Sequence, residues 1–169
     1  DVVVNCVAGD GRRPLHIAAA MGSLWLCRTL VLQGADVDAR VIVPEGDWGG
    51  GDTALHCAIA GGHVHIVKFL VLECNANPYI HMRGHKTPLF LAAEKKGGEG
   101  GEIVRVLLEG MKRRRKGGER GGGDVDERAH SGKTPLFAAV ESGNEQVVTQ
   151  LLLHGADPSL ATRRGKTPL

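Results

Sequence analysis

One four-residue pattern returns along the chain and constrains its fold more than any other feature of the sequence. It starts at residues 13, 53, 87 and 134, where it reads RPLH, TALH, TPLF and TPLF, and a shortened copy, TPL, occupies 167–169. The second positions of successive copies are 40, 34, 47 and 33 residues apart. A pattern that recurs at such a period predicts an array of one small unit rather than a globule around a single core.

Each unit has the residues of two helices and two turns, and the fourth copy shows this most clearly. Thr134 is a good N-cap, and Pro135 suits the first helical position, where its missing N–H costs nothing. An alanine-rich run then predicts a thin first helix that ends before Gly143. Residues 147–153 carry Val and Leu at helical spacing, which predicts a second helix with one buried face, and the turn at 155–157 closes the unit.

The order of tetrad, alanine run, glycine and Gly-Ala-Asp turn resembles the ankyrin repeat, whose signature is T-P-L-H-x-A at a period of 33. The resemblance covers nearly the whole chain. It implies an all-α, ankyrin-type helical solenoid of stacked antiparallel helix pairs, with hairpin loops projecting from one side. We expect four complete repeats and a partial repeat at each end, and therefore a segment of a longer protein. The complete repeats fall at about 10–46, 47–82, 83–130 and 131–163, and the partial ones at 1–9 and 164–169.

Glycine, which accounts for 25 of the 169 residues, is concentrated in three insertions relative to the repeat period. The insertions lie at about 41–51, 96–101 and 111–123. Helices must keep register in order to stack, so extra residues belong in loops. We therefore expect all three insertions to be loops, and their glycines to make them flexible.

Departures from the signature carry structural expectations of their own. Phe90 and Phe137 replace the signature histidine, which in this family commonly makes a local hydrogen bond. Copies three and four are therefore expected to use hydrophobic packing at this position. Asn75 stands where the other closing turns have glycine, and asparagine is the next-best residue for the left-handed conformation that such a turn requires.

Composition argues against several classes of partner. A net charge of +2 creates no strong field for nucleic acid or an anionic membrane. No run approaches the ~18 apolar residues of a membrane span. The four cysteines form no C-x-x-C pair, so we interpret them as small hydrophobic residues in a reducing compartment, cytoplasmic or nuclear. We expect a monomer that needs no metal and no cofactor.

Motifs that would carry chemistry are incomplete. Gly-Lys-Thr at 132–134 and 165–167 resembles the end of a phosphate-binding P-loop, but Glu127 and Leu160 stand where that loop needs glycine. A repeat turn followed by a helix cap explains both triplets. The histidine pairs 63/65 and 81/85 lack further ligands at metal-binding spacing, and G-x-S-x-G is absent from the sequence. We therefore expect no catalytic residues and no enzyme activity.

The most concentrated charge is a run of five cations in the third insertion: Lys112, Arg113, Arg114, Arg115 and Lys116. Like charges repel one another and are expected to keep this segment open. The run could serve as a nuclear-import signal or as a clamp for an acidic partner. It could equally be a solvated loop whose charge preserves solubility.

A second basic pattern lies just before the tetrads. The preceding residue is a cation in four copies, namely Arg12, Lys86, Lys133 and Lys166, whereas the second copy has Asp52. Stacking would align these cations as a basic rim on the hairpin side, where an acidic peptide could bind. The alternative is that lysine is simply common at this position in ankyrin-like repeats.

The resemblance implies a protein–protein interaction module, a scaffold or adaptor that binds its partner in a concave groove. Hairpin loops and the exposed side of each first helix would form this groove. Aromatic and arginine residues often dominate the binding energy of an interface. Two alternatives remain open: a regulatory segment of a larger enzyme or channel, and a nuclear adaptor that uses 112–116. The candidate contacts vary between units; they are Met21, Trp48, Tyr79, His81, Arg83, Glu94, Lys95, His130, Glu141, Ser142, Arg163 and Arg164.

Overall fold

The computed structural model describes residues 4–42, 51–116 and 124–168, and they form the predicted all-α solenoid. Consecutive helices contact each other in pairs, one pair in each of the four repeats. The first helices of successive pairs contact one another in an inner row, and the second helices form an outer row. The helices are α1 Pro14–Ala20, α2 Leu24–Leu32, α3 Ala54–Ala60, α4 Val64–Lys68 with a π-helical continuation Phe69–Glu73, α5 Pro88–Ala93, α6 Gly98–Lys116, α7 Pro135–Ser142 and α8 Glu145–Leu153.

The inner helices start as the tetrads predict. The hydroxyl of Thr87 accepts a hydrogen bond from the backbone N–H of Phe90 at 3.1 Å, and the hydroxyl of Thr134 accepts one from Phe137 at 3.2 Å. Each bond satisfies one N–H that the helix itself leaves without a partner. The Gly-Lys-Thr triplet at 132–134 is therefore a turn followed by a helix cap.

The histidine and phenylalanine copies use two different local arrangements, which confirms the expectation from the sequence. The Nδ1 atoms of His16 and His56 accept hydrogen bonds from the backbone N–H of residues 13 and 53, at 3.0 and 3.1 Å. Phe90 and Phe137 are buried instead. The ammonium group of a lysine lies over each phenyl ring, 5.4 and 5.2 Å from its centre.

The core is one continuous apolar layer that runs between the two rows of helices. Alanines of the inner helices are buried and keep these helices close together, as Ala58 and Ala92 show. The outer helices contribute larger side chains, among them Ile66, Leu107 and Leu151, none of which is exposed. Each pair therefore buries its apolar face against its neighbours, as expected of a linear array.

Side chains of the closing turns tie the first repeat to both of its neighbours and the third repeat to the fourth. The side chain of Asn5 accepts from the backbone N–H of Asp36 at 3.1 Å. Asp38 accepts in the same way from Asn77 at 2.9 Å, and Asp126 from Asp157 at 3.1 Å. Asn75, in the closing turn of the second repeat, has φ +55°, so the prediction of a left-handed asparagine is confirmed. These bonds hold the hairpin turns at a fixed spacing.

Helix α6 contradicts the expectation that every insertion is a loop. It runs without a break from Gly98 to Lys116, so the loops predicted at 96–101 and 111–123 are wrong for 98–101 and 111–116. Two of its glycines lie close to side chains of other helices. A Cβ on Gly101 would lie 2.5 Å from the side-chain oxygen of Gln146 in α8, and one on Gly110 would lie 2.3 Å from a methyl group of Val71. Residues 117–123, and 43–50 of the first insertion, lie outside the described residues.

Gly110→Ala is expected to lower the free energy of unfolding by about 1 kcal/mol. The clash with Val71 should outweigh the ~1 kcal/mol of helix propensity that alanine brings. The matched control is Gly98→Ala, because a Cβ on Gly98 meets nothing within 4 Å and this change should leave stability equal or higher. Urea unfolding followed by circular dichroism measures both. Equal stabilisation by the two changes would show that α6 does not pack closely at Gly110.

Burial of the two tetrad histidines makes the fold sensitive to acid. Burial lowers the pKa of His16, and it lowers the pKa of His56 from 6.5 to about 4, with the charge of Arg40 as the next cause. The folded state therefore holds His56 neutral, while the unfolded chain takes up a proton near pH 6.5. The contribution of neutral His56 to the free energy of unfolding is complete above pH 6.5 and is lost as the pH falls toward 4.

We expect His56→Phe to weaken this acid sensitivity. Between pH 7 and pH 4.5 the parent should lose about 2–3 kcal/mol more unfolding free energy than the variant. Phenylalanine is the residue that the third and fourth copies carry at this position, so the helix cap can be kept. Urea midpoints across the pH range report the difference. The same loss in both proteins would contradict a neutral, buried His56.

Candidate protein-binding groove

The surface available to a partner lies on the hairpin side of the inner row. It consists of the exposed sides of α1, α3, α5 and α7 and of the turns that lead into these helices, and we call it the groove. One cavity in it, of about 340 Å³, is lined by residues of the first three hairpin turns and by Cys57 of α3. A second, of about 450 Å³, lies between α7 and the last hairpin turn, where Phe137, Glu141, Arg163 and Arg164 are among the lining residues.

The predicted basic rim is partly neutralised within the groove itself. Lys86 pairs with Glu94 at 2.7 Å, and Lys133 pairs with Glu141 at 2.5 Å. In both repeats the lysine of the hairpin turn reaches the carboxylate near the end of the following inner helix. Arg12 lies 3.7 Å from the carboxylate of Asp10. Glu94 and Glu141, two candidate contacts from the sequence, are thus held in ion pairs on the groove surface.

The carbonyl groups at the ends of inner helices accept hydrogen bonds from the next repeat. The His63 side chain bonds the carbonyl of Ala20 at 2.9 Å, and the ammonium group of Lys95 donates to that of Ala60 at 2.8 Å. The hydroxyl of Ser142 donates to the carbonyl of residue 93 at 3.1 Å. Lys95 and Ser142, which the sequence offers as partner contacts, therefore also join neighbouring inner helices.

Histidines link the hairpin turns in the middle of the array. His81 Nε2 lies 2.6 Å from a carboxylate oxygen of Glu127, which belongs to the turn of the following repeat. The ring centre of His85 lies 5.5 Å from that of His81 and 6.2 Å from that of His130. The backbone N–H of His130 also donates to the carbonyl of Gly84 at 2.7 Å. His81 and His130 are thus engaged in contacts between repeats.

The aromatic candidates do not dominate the described part of the groove. Tyr79 is half-buried against the core and its hydroxyl oxygen is buried, so little of its ring faces a partner. Trp48 lies outside the described residues. Met21, at the end of α1, is 68% exposed. Trp25 on α2 is 71% exposed but is not among the contacts predicted from the sequence. This position also varies between repeats, since the second and fourth copies have His65 and Gln146 there.

Charge is most concentrated at the last hairpin turn. Arg163 and Arg164 are exposed there, and with Lys166, Lys133 and His130 they line the cavity of about 450 Å³. Arg83, in the turn before α5, is exposed as well. Of the predicted contacts in the described residues, those exposed in the groove are Met21, Arg83, Glu94, His130, Glu141, Arg163 and Arg164.

The run of five cations is the end of a helix, so the expectation of an open loop at 112–116 is wrong. These residues form the last turn of α6, where positive charge is favoured by the partial negative charge of the carbonyl end. Arg113 pairs with Glu109 at 2.5 Å, Arg114 donates to the carbonyl of Asn75, and Arg115 lies 3.8 Å from Asp124. Local pairing and the helix end offset the mutual repulsion that favours an open segment.

Within the ranges 4–42, 51–116 and 124–168, no three His, Cys, Asp or Glu side chains come together in a way that could hold a metal ion. In the same ranges, none of the helices has the length and apolar character that crossing a membrane requires.

Comparison with known proteins agrees with this architecture. A family model described as "Ankyrin repeats (3 copies)" matches residues 42–116, and two described as "Ankyrin repeat" match 131–163 and 10–39. The chain is 30% identical to human transient receptor potential cation channel subfamily A member 1 over 155 residues, 92% of this chain and 12% of that protein. It is 36% identical to human ankyrin repeat and SOCS box protein 16 over 157 residues, 92% of this chain and 30% of that protein.

A shorter match joins the chain to the NF-kappa-B inhibitor cactus of Drosophila melanogaster, with 43% identity over 65 residues, 38% of this chain and 12% of that protein. The chain thus spans less than a third of the length of these curated relatives. The three family models together cover most of the sequence, and their repeats coincide with the helix pairs of the structure. The chain belongs to the ankyrin repeat family.

Proposed function

We propose that this chain binds a protein partner along the groove, as a scaffold or adaptor. Ankyrin repeats are protein-interaction modules that use extended concave surfaces and generally carry no catalytic groups. The observation that carries the proposal is the open cavity of about 450 Å³ between α7 and the last hairpin turn. Side chains of two successive units line it, and a stacked array supports them on rigid elements. Most of the residues that line it are charged or polar, whereas a small-molecule pocket is lined mainly by apolar and aromatic side chains, so this surface suits an extended protein ligand better.

A second proposal is that the segment acts as the interaction region of a larger protein. It is supported by the likeness to a cation channel, of which the match covers only 12%. The relatives also include an ankyrin repeat and SOCS box protein and an NF-kappa-B inhibitor, so the same kind of repeat array serves larger proteins of different kinds.

We also propose that the chain works in the cytoplasm. All four cysteines are unpaired, and burial raises the pKa of the Cys27, Cys57 and Cys74 thiols to about 11, as expected of inert side chains in a reducing compartment. The alternative of a nuclear adaptor is less favoured, because the arginines of 112–116 already contact groups of the chain.

Site-specific photocrosslinking tests the groove directly. A photoreactive amino acid replaces Met21 or Arg164 in the groove and, as the matched control, exposed Thr149 on the outer helix α8. In an extract of the source cells, the two groove positions should crosslink to the same protein, whereas Thr149 should not. Crosslinking from Thr149 alone, or equally from all three positions, would show that the partner does not bind in the groove.

A further inference from the structure

The groove is not uniform in charge along its length. Two adjoining cavities lie at its C-terminal half, of about 450 and 270 Å³, and they share His130 and Arg163. The residues that line the two cavities include a single carboxylate, Glu141, which is already paired with Lys133. The cations among them are Arg128, Lys133, Arg163, Arg164 and Lys166.

Among the described residues, the charges that line the N-terminal half of the groove are balanced. Its cavity of about 340 Å³ is lined by two carboxylates, Asp10 and Asp52, and by two arginines, Arg12 and Arg83. Asp52 occupies the position at which later copies have lysine. The excess of cations at the other half is therefore local, and the net charge of +2 does not produce it.

We propose that the C-terminal half of the groove binds a carboxylate-rich segment of the partner; this rests on the proposed function and names the class of ligand for the same surface. Arginine presents a planar fork of donors that matches a carboxylate in two parallel hydrogen bonds. Concentrated charge of one sign also speeds the encounter with a segment of opposite sign.

The placement of the cations favours a run of carboxylates over one phosphate group. Three successive hairpin turns line this region, and the cations come from the second and third of them, with Arg128 and Lys133 in the second and Arg163 in the third. They are distributed along the array rather than converging on one buried point. Arg128 is also held in place by a hydrogen bond of 2.9 Å to the carbonyl of Ala161, which joins the second turn to the third.

The test uses a fluorescent peptide with six glutamates interspersed among glycine and serine, and a second peptide in which glutamine replaces every glutamate. Fluorescence anisotropy should show that the glutamate peptide binds about tenfold or more tightly than the glutamine peptide, and less tightly as salt rises. The double variant Arg163→Gln/Arg164→Gln should weaken binding about fivefold or more. Arg105→Gln, which removes an exposed cation from the outer helix α6, is the matched control and should not change affinity.

Three results would overturn the proposal: equal binding of the two peptides, an unchanged affinity in the double variant, and equal binding of a single-stranded DNA of the same charge. The last would indicate attraction of any polyanion. Circular dichroism melts show whether the double variant remains folded.

Crosslinking from Met21 separates this proposal from the proposed function. If Met21 still captures the partner while the glutamate peptide does not bind, the charge preference is wrong and the groove stands. If Met21 captures nothing, the proposed function fails.

Discussion

The rest of the structure depends on the burial of one helix pair against the next. A single pair exposes an apolar face that it cannot cover, and only neighbouring pairs remove that face from water. Alanines such as Ala58 and Ala92 keep the inner helices thin enough to approach one another. Caps, turns and the bonds between closing turns then hold every pair in the same register, so that their exposed sides form a continuous surface.

Local signals in the sequence predicted much of this because they act over a few residues. A threonine followed by proline predicts where an inner helix begins, and a glycine or Asn75 predicts where a left-handed turn closes a repeat. The choice between histidine and phenylalanine in the tetrad likewise has a local consequence. These features need no knowledge of the neighbouring repeats, and the structure confirms them.

Helix α6 was mispredicted because two of its glycines lie against residues that are far away in the sequence. Glycine-rich composition favours a flexible loop, but Gly101 lies against Gln146, and Gly110 lies against Val71. Only the packed array reveals these partners.

The residues of the candidate site were likewise only partly predictable from the sequence. Variation between repeats identified Met21 and Arg163, which are exposed, but also Lys95, which joins neighbouring inner helices. A position that varies can serve recognition or a specific junction, and the sequence alone does not separate the two.

We infer a separation in stability between exposed groove residues, such as Met21, Arg163 and Arg164, and residues that join neighbouring repeats, such as His81, Lys95 and Ser142. Urea unfolding of two triple variants tests this claim most directly. Met21→Gln/Arg163→Gln/Arg164→Gln changes only exposed groove residues and should alter the free energy of unfolding by less than about 0.5 kcal/mol. His81→Ala/Lys95→Ala/Ser142→Ala removes contacts between repeats and should cost about 2 kcal/mol. Equal losses in the two variants, or a larger loss in the first, would contradict the separation.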